Sequence, residues 1–157
     1  DLRISQIYEG TNGVQSQDLI GRKTIKCGGA FIAEYIAEIR DFANALDTDL
    51  NFIKDATLDA ATEIEAITQF IIEQAAENVD FPNAAAVDYL SAVGLLSFAK
   101  IAAAAKDKSG DFYQNKLALA QYFVDRILPE LDSRLAKIKA GSDLIMNFSE
   151  DYFTNQA

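Results

Sequence analysis

The feature that most constrains the fold is a long segment, residues 83–106, in which apolar side chains occur nearly all round a helix. Its large apolar residues are Tyr89, Leu90, Val93, Leu95, Leu96, Phe98 and Ile101. A helix that is apolar on every side is normally surrounded by other helices. The sequence therefore predicts that this helix lies at the centre of a helical bundle.

Three other long segments place apolar residues at the three- and four-residue spacing of one buried helix face. They are residues 30–46, 50–77 and 112–140. Thr57 could begin a separate helix within the second segment. In the third, Pro129 removes a backbone donor and clashes with the carbonyl four residues earlier, which predicts a kink near residues 125–128.

Turn-forming residues separate these segments. Gly28-Gly29 ends a shorter helix over residues 14–26, and residues 78–82 form a turn. Gly141 ends the last long helix, and residues 142–148 are expected to add a short helical turn. Short loops between long amphipathic helices favour antiparallel neighbours. We therefore expect an all-α fold: an up-down antiparallel four-helix bundle with a short extra N-terminal helix and an N-terminal arm.

The composition of the 157 residues narrows the possible functions. The net charge of −10 disfavours nucleic acid and anionic membrane surfaces as partners, because both attract clustered Lys and Arg. The sequence has no histidine, which excludes His-ligated metals and His-activated nucleophiles. Cys27 is the single cysteine, which fits a reducing compartment, and we expect a cytoplasmic protein. No apolar run is long enough for a transmembrane segment.

Carboxylates, the cysteine and several aromatic residues are weaker candidates for function. The acidic pairs Asp47/Asp49, Glu63/Glu65 and Glu73/Glu77 could suggest a two-metal site, but the ferritin-like arrangement also needs histidine. We interpret these pairs as solvated helix faces and Cys27 as a small core or loop residue. The aromatic residues predicted to lie in the core are Tyr89, Phe98, Tyr113 and Tyr122.

One stretch near the start of the sequence is suited to chemistry. It consists of Gln6-Ile7-Tyr8-Glu9-Gly10-Thr11-Asn12-Gly13-Val14-Gln15. A single carboxylate, Glu9, stands between an aromatic residue and a turn whose two glycines let the backbone approach a ligand. Residues 1–8 fit either a strand or a helix. Without further information, Glu9 would be interpreted as an ordinary surface carboxylate.

This stretch resembles the acyl-CoA dehydrogenase family. The resemblance is carried by Arg3-x-x-Gln6-Ile7-Tyr8-Glu9-Gly10-Thr11, followed by Gln15 and a helix. It is specific because a contiguous run of this kind is improbable by chance. The helices that follow resemble, more loosely, the extra C-terminal helical domain of the larger members, including those that act on 3-methylmercaptopropionyl-CoA. Leu128-Pro129-Glu130 belongs to that looser match.

The resemblance implies an FAD-dependent enzyme that dehydrogenates an acyl-CoA thioester between its α and β carbons. Glu9 would be the catalytic base that removes the α-proton, while the β-hydrogen leaves as hydride to the flavin. Gly10 would lie against the substrate. The FAD diphosphate portion would lie near Thr11, Asn12, Gly13 and Gln15. Electron-transfer flavoprotein would accept the electrons, and the resemblance also implies a homo-oligomer.

The resemblance also implies a division of the chain. The family's active site needs an N-terminal helical domain, a middle β-domain and a neighbouring subunit. Because the sequence begins at Asp1 without Met, we expect a fragment of a longer polypeptide. Residues 1–27 would be the active-site and FAD-contact segment, residues 28–148 the C-terminal bundle, and residues 149–157 a tail. The fragment alone is expected neither to bind FAD tightly nor to turn over acyl-CoA.

Two alternatives remain open at this point. The chain could be a non-catalytic bundle for oligomerisation or partner docking, since residues 28–148 contain scaffold and no evident chemistry. That role can coexist with the enzymatic one. A bundle that binds an unrelated small ligand would instead need an apolar pocket with convergent polar groups.

Overall fold

The computed structural model describes residues 10–47, 50–103, 111–149 and 151, and these residues contain helices and no strand. The helices are α1 (Asn12–Gln17), which continues as a π-helical segment (Asp18–Ile25), α2 (Ala30–Asn44), α3 (Asn51–Glu77), α4 (Phe81–Ala103), α5 (Asp111–Tyr122), which continues as a second π-helical segment (Phe123–Ile127), α6 (Glu130–Lys139) and α7 (Asp143–Met146). The predicted all-α fold is confirmed. The predicted N-terminal arm and almost all of the predicted tail lie outside the described residues.

Contacts between α2 and α3 show that these two helices are antiparallel. Near the start of α2, Gly29 lies beside Ile72, which is close to the end of α3. Further along α2, Arg40 pairs with Glu65 at 2.8 Å. Residue numbers rise along one helix as they fall along the other, which is the up-down arrangement that the sequence predicts.

The same reversal relates α4 to α6. The ring of Phe81, the first residue of α4, lies beside Gly141, which follows α6. About two turns into α4, Asp88 accepts a hydrogen bond from Arg134 at 2.9 Å. Helix α6 therefore runs back along α4 and closes the antiparallel bundle.

Helix α4 is the central helix, as predicted. It packs against α1, α2, α3, α5 and α6. Its buried residues include three alanines, Ala85, Ala86 and Ala92, whose small side chains let neighbouring helices approach closely. One strip of α4 nevertheless faces solvent, because Val87 and Phe98 lie three turns apart on the same face and are 50% and 58% exposed.

The main core is built from one face each of α2, α3, α4 and α6, together with residues of the two π-helical segments. Its largest buried aliphatic residues include Ile20, Ile36, Ile39, Ile64, Ile67, Ile71, Leu96, Leu131, Leu135 and Ile138. Burying each such side chain stabilises the fold by about 1.5–3 kcal/mol relative to leaving it exposed. The apolar faces predicted for α2, α3 and α6 are therefore confirmed. Helix α3 is continuous through the buried Thr57, so no separate helix begins there.

The buried residues of the first helix are not simply its apolar residues. Val14 is 69% exposed, whereas Ser16, Ile20 and Thr24 are completely buried. These three residues recur every fourth position and so lie on one face of a helix. The face that packs against the bundle therefore carries two hydroxyl side chains and only one apolar side chain, that of Ile20.

The segment predicted as one kinked helix consists of two α-helices separated by a π-helical segment and a turn. The N–H of Leu128 donates to the carbonyl of Phe123 at 2.8 Å, five residues back. Pro129 has no N–H to donate and cannot continue an α-helical pattern. The interruption lies where the sequence predicts it, and α7 confirms the short helical turn after Gly141.

The predictions for the aromatic residues are partly wrong. Tyr89 is completely buried, as predicted, but Phe98 and Tyr122 are each 58% exposed. Phe98 lies on the solvent-facing strip of α4, and its ring is tilted by 50° to that of Phe123, with the ring centroids 6.2 Å apart. The side chain of Tyr113 lies outside the described part. No helix within the described residues is long and apolar enough to cross a membrane.

Candidate functional site

The motif residues that the structure describes lie together where α1 begins. We call residues 10–15 the motif strip. Gly10 is half-buried, and Thr11, Asn12, Gly13 and Gln15 are exposed. Glu9 lies outside the described residues. The structure thus brings the predicted cofactor-binding residues into one continuous surface directly after the predicted base.

The backbone of the motif strip is unusual at Thr11. Its φ of 49° and ψ of 41° place it in the left-handed region, and it is the only described residue other than glycine with a positive φ. This conformation costs a residue with a Cβ about 1–2 kcal/mol. Thr11 begins the helix without a side-chain capping bond, although its carbonyl accepts from the N–H of Gln15 at 3.1 Å.

Packing does not explain why residue 13, in the motif strip, is a glycine. A Cβ added at Gly13 would meet no atom within 4 Å, and Gly13 has no positive φ. Neither space nor conformation within the described chain therefore requires glycine there. A glycine in an exposed helical turn lowers stability relative to alanine, but it lets another molecule approach the backbone.

The buried face of α1 holds the motif strip against the bundle from behind. The hydroxyl of the buried Ser16 donates to the carbonyl of Gly13 at 2.9 Å. Ile20, one turn further on, belongs to the main core. The motif strip is therefore an exposed surface on a helix that is itself anchored.

The helix behind the motif strip changes to π-helical geometry from Asp18 to Ile25. The N–H of Lys26 donates to the carbonyl of Gly21 at 3.0 Å, and the hydroxyl of Thr24 donates to the carbonyl of Leu19 at 2.9 Å. Helices of this kind are rare and often lie at functional sites. The sequence contains no clear signal for it beyond Gly21, which only weakens an α-helix.

The chemistry available to the motif strip is hydrogen bonding without charge. Thr11 contributes a hydroxyl, and Asn12 and Gln15 contribute amides that can both donate and accept. The first charged residue beyond it, Asp18, pairs with Arg22 at 3.0 Å and Lys23 at 3.5 Å. The motif strip can therefore bind a polar or phosphate group, whereas acid–base chemistry would depend on Glu9.

The carboxylate pairs of α3 do not form a site. Glu63, Glu65, Glu73 and Glu77 are all exposed. Glu65 pairs with Arg40, and Glu73 accepts from the amide of Gln69 at 3.0 Å. The described residues contain no cluster of three or more potential metal ligands. The interpretation of these pairs as solvated helix faces is confirmed, and Asp49 lies outside the description.

The environment of Glu63 is unfavourable for the ionised form of its carboxyl group. Partial burial raises its pKa above the ordinary value of 4.5, and the nearby negative charges of Asp132 and Asp59 raise it further. Lys139 opposes these effects. The three carboxylates border a shallow groove of about 210 Å³ next to Pro129. The arrangement therefore destabilises the ionised form of Glu63.

Cys27 lies in the turn between the π-helical segment and α2. It is half-buried, and its thiol donates to the carbonyl of Lys23 at 3.0 Å. Its interpretation as a small loop residue is confirmed.

A groove of about 430 Å³ between α2 and α3 is the best candidate for binding an unrelated small ligand. Its floor is formed by small and aliphatic residues, including Gly29, Ala33 and Ile72. The polar groups at its edge are already paired, since Glu65 binds Arg40 and Gln69 binds Glu73. The groove therefore lacks the free convergent polar groups that a specific ligand needs.

Comparison with known proteins identifies the family. Residues 35–149 match the family described as "Acetyl-CoA dehydrogenase C-terminal like". The chain is similar to the broad-specificity linear acyl-CoA dehydrogenase of Mycobacterium tuberculosis, with 28% identity across 98% of this chain and 28% of that protein. It is also similar to the 3-methylmercaptopropionyl-CoA dehydrogenase of Ruegeria pomeroyi, with 27% identity across 95% of this chain and 27% of that protein.

A butyryl-CoA dehydrogenase of Syntrophomonas wolfei is similar to the same extent, with 26% identity across 98% of this chain and 27% of that protein. The chain thus spans just over a quarter of the length of these relatives. The family match, in contrast, covers most of the bundle and more than half of the chain. The chain therefore belongs to the family of acetyl-CoA dehydrogenase C-terminal-like domains.

Proposed function

We propose that this chain is the C-terminal part of an FAD-dependent acyl-CoA dehydrogenase and that it supplies the catalytic base, Glu9. The observation that carries the proposal is the motif Glu9-Gly10-Thr11, which leads directly into an exposed and strained motif strip in a chain of this family. In this proposal residues 1–27 form part of the catalytic site, residues 28–148 form the appended bundle and residues 149–157 form a tail.

Glu9 is proposed to remove the α-proton of the acyl-CoA thioester. An ordinary glutamate has a pKa of about 4.3 and is a weak base in water, so it must be desolvated to act. Ile7, Tyr8 and the acyl chain would exclude water around it. The backbone N–H of Glu9 would donate to the thioester carbonyl and stabilise the negative charge that develops there. Gly10, which has no side chain, would leave room for the substrate.

The motif strip is proposed to hold the diphosphate portion of FAD, which would serve as the hydride acceptor when bound. Its composition fits such a group. Thr11, Asn12 and Gln15 offer uncharged donors, and among the described residues outside its own helix turn none has an atom within 4 Å of the position of a Cβ at Gly13. A carboxylate on this surface would repel phosphate, and residues 10–15 include none.

The remaining partners follow from the same proposal. They are an acyl-CoA substrate, electron-transfer flavoprotein as electron acceptor and further copies of the enzyme in a homo-oligomer, in the cytoplasm. The names of the relatives give three different substrates: linear acyl-CoA, 3-methylmercaptopropionyl-CoA and butyryl-CoA. Each relative is nevertheless similar to nearly the whole of this chain. We propose that the acyl specificity is set outside these 157 residues.

The proposal is tested by changing Glu9→Gln in the full-length enzyme. Glutamine keeps the size of the side chain but cannot accept the proton. The flavin content should stay normal, while the rate of dehydrogenation should fall by at least about 10²–10⁴-fold. Glu34→Gln, at an exposed position on α2, is the matched control and should leave the rate unchanged. An active Glu9→Gln enzyme would refute the assignment.

A second measurement tests what residues 1–157 do on their own. They contain one edge of the proposed site, so the purified chain should be colourless and should not reduce an electron acceptor with acyl-CoA. A yellow and reducible preparation would show that these residues alone form a flavin site.

The bundle is proposed to serve assembly within the same enzyme. The observation that favours this role is the exposed apolar surface of α7, where Leu144, Ile145 and Met146 are 79%, 61% and 58% exposed. Deleting residues 28–157 from the full-length enzyme separates the possibilities. Smaller oligomers with normal activity per flavin would support an assembly role. Loss of flavin would show that the bundle supports the site directly.

A further inference from the structure

Three buried hydroxyl groups lie between α1 and the bundle. They belong to Thr24 in the π-helical segment, Thr68 in α3 and Tyr89 in α4, and we call them the hydroxyl cluster. Thr24 and Tyr89 are completely buried, and Thr68 is 6% exposed. The hydroxyl oxygens of Thr68 and Tyr89 lie 2.8 Å apart. Burial raises the pKa of Tyr89, and the hydroxyls of Thr68 and Thr24 partly offset this effect.

The direction of the hydrogen bonds follows from the number of hydrogens. Each threonine hydroxyl has one hydrogen to donate. Thr68 uses its hydrogen on the carbonyl of Ile64 at 2.6 Å, and Thr24 uses its hydrogen on the carbonyl of Leu19 at 2.9 Å. Tyr89 is therefore the donor in its bond with Thr68, which has only lone pairs left to offer.

A second set of contacts lies at Gly29, in the turn between the π-helical segment and α2, and involves Thr68 and Thr24. The methyl of Thr68 lies 3.6 Å from the position of a Cβ at Gly29. The N–H of Gly29 donates to the carbonyl of Thr24 at 2.8 Å. Thr24 is thus fixed at its carbonyl by Gly29 and at its hydroxyl by Leu19. The first contact lies at the C-terminal end of the π-helical segment, and the second spans the segment to Leu19, near the end that Ser16 and Gln17 connect to the motif strip.

We propose that Tyr89 is a positioning residue for the dehydrogenation, because it bonds to Thr68 and the two helices joined in this way, α3 and α4, both pack against the π-helical segment that carries the motif strip. This inference rests on the proposed function. Returning this segment from i to i−5 bonds to α-helical bonds would rotate the motif strip, which Glu9 directly precedes in the sequence. A displacement of about 1 Å can lower a catalytic rate by about 100-fold.

The test compares two matched variants of the full-length enzyme, Tyr89→Phe and Tyr35→Phe. The phenol of Tyr35 donates to Ser97 at 2.7 Å, and Ser97 itself donates to the carbonyl of Val93. Each variant therefore removes one phenol donor between helices and leaves its partner hydroxyl bonded to a backbone carbonyl. The bond of Tyr35 joins α2 to α4 and does not involve α1.

We expect Tyr89→Phe to lower kcat by about tenfold or more with little change in KM, whereas Tyr35→Phe leaves kcat within about twofold. Substrate deuterated at the α-carbon should show a larger isotope effect on kcat with Tyr89→Phe, because proton removal by a displaced Glu9 becomes slower. A purely structural role would not change the isotope effect. In the Glu9→Gln background, Tyr89→Phe should have no further effect on the remaining rate.

Equal losses of kcat in the two variants, or an unchanged isotope effect, would overturn the inference. If Tyr89→Phe does not fold, Thr24→Val decides the question, because it keeps the shape of the side chain and removes its hydroxyl. Thr24→Val should reproduce the loss of kcat, and Thr24→Ser should restore it. These outcomes are independent of the Glu9→Gln result in the otherwise normal enzyme, which alone tests the proposed function.

Discussion

Helix α1 with its motif strip differs from the bundle of α2 to α6 in how well the apolar periodicity of the sequence matches the burial of side chains. In α2, α3 and α6 of the bundle, the apolar periodicity and the burial of side chains agree, as at Ile36, Ile64 and Leu135, although a second π-helical segment separates α5 from α6. In α1 they disagree. The apolar Val14 is exposed, the polar Ser16 and Thr24 are buried, and α-helical geometry gives way to π-helical geometry.

The difference separates the part of the chain that drives folding from the part that we propose acts in catalysis. Natural proteins break local rules mainly at functional sites, and the surrounding structure stabilises the exceptions. The strained Thr11 and the unnecessary Gly13 persist because α1 is held from behind by the core. The bundle therefore stabilises a segment that its own sequence would not make stable.

The largest expected effect comes from truncating a side chain in each region. Ile64→Ala should lower the free energy of unfolding by about 2–5 kcal/mol, because Ile64 is completely buried in the main core. Val14→Ala should change it by no more than about 0.5 kcal/mol, because Val14 is exposed. Urea denaturation of the 157-residue chain measures both. Similar losses would mean that the two regions do not differ in packing.

A smaller effect is expected when alanine replaces a glycine in each region. Gly29→Ala should destabilise the chain by about 1–2 kcal/mol. Gly29 has a φ of 82°, and the new Cβ would lie 3.1 Å from the terminal methyl of Ile72. Gly13→Ala should instead stabilise it by about 0.5–1 kcal/mol, because Gly13 lies in a helix with open space around it.

The same Gly13→Ala change also tests the role of the motif strip. In the full-length enzyme it should weaken the retention of FAD even though it stabilises the helix. A variant that is both more stable and equally able to retain FAD would remove Gly13 from the proposed site. Thermal unfolding and the ratio of flavin to protein absorbance give the two readings.

The smallest effect concerns the unfavourable charge in the bundle. The pKa of Glu63 is raised in the folded chain, first by burial and then by Asp132 and Asp59. Below the ordinary pKa of 4.5 the residue is neutral in both states, so it imposes no penalty; above its raised pKa its charge disfavours folding. Glu63→Gln should therefore raise Tm slightly at neutral pH, and the gain should disappear as the pH falls towards 4. A gain that grows on acidification would contradict this sign.

Much of the bundle could be predicted because the spacing of apolar residues along each helix indicates which face is buried. The central position of α4, the buried faces of α2 and α3, and the break at Pro129 all follow from residues close together in sequence. The exposure of Phe98 and Tyr122 could not be predicted in this way, since it depends on where the neighbouring helices leave α4 and α5 uncovered. Periodicity describes a face but does not say what covers it.

For the candidate site, the chemical identity of the residues was available from the chain alone, and their support was not. Glu9-Gly10-Thr11 and the family resemblance require no coordinates. The buried hydroxyls of Thr24, Thr68 and Tyr89 come from three helices, and a polar side chain is buried only where distant residues complete its hydrogen bonds. Local sequence therefore specified the helices and the motif, while packing between helices selected the face of α1 that is buried and hence the direction in which the motif strip points.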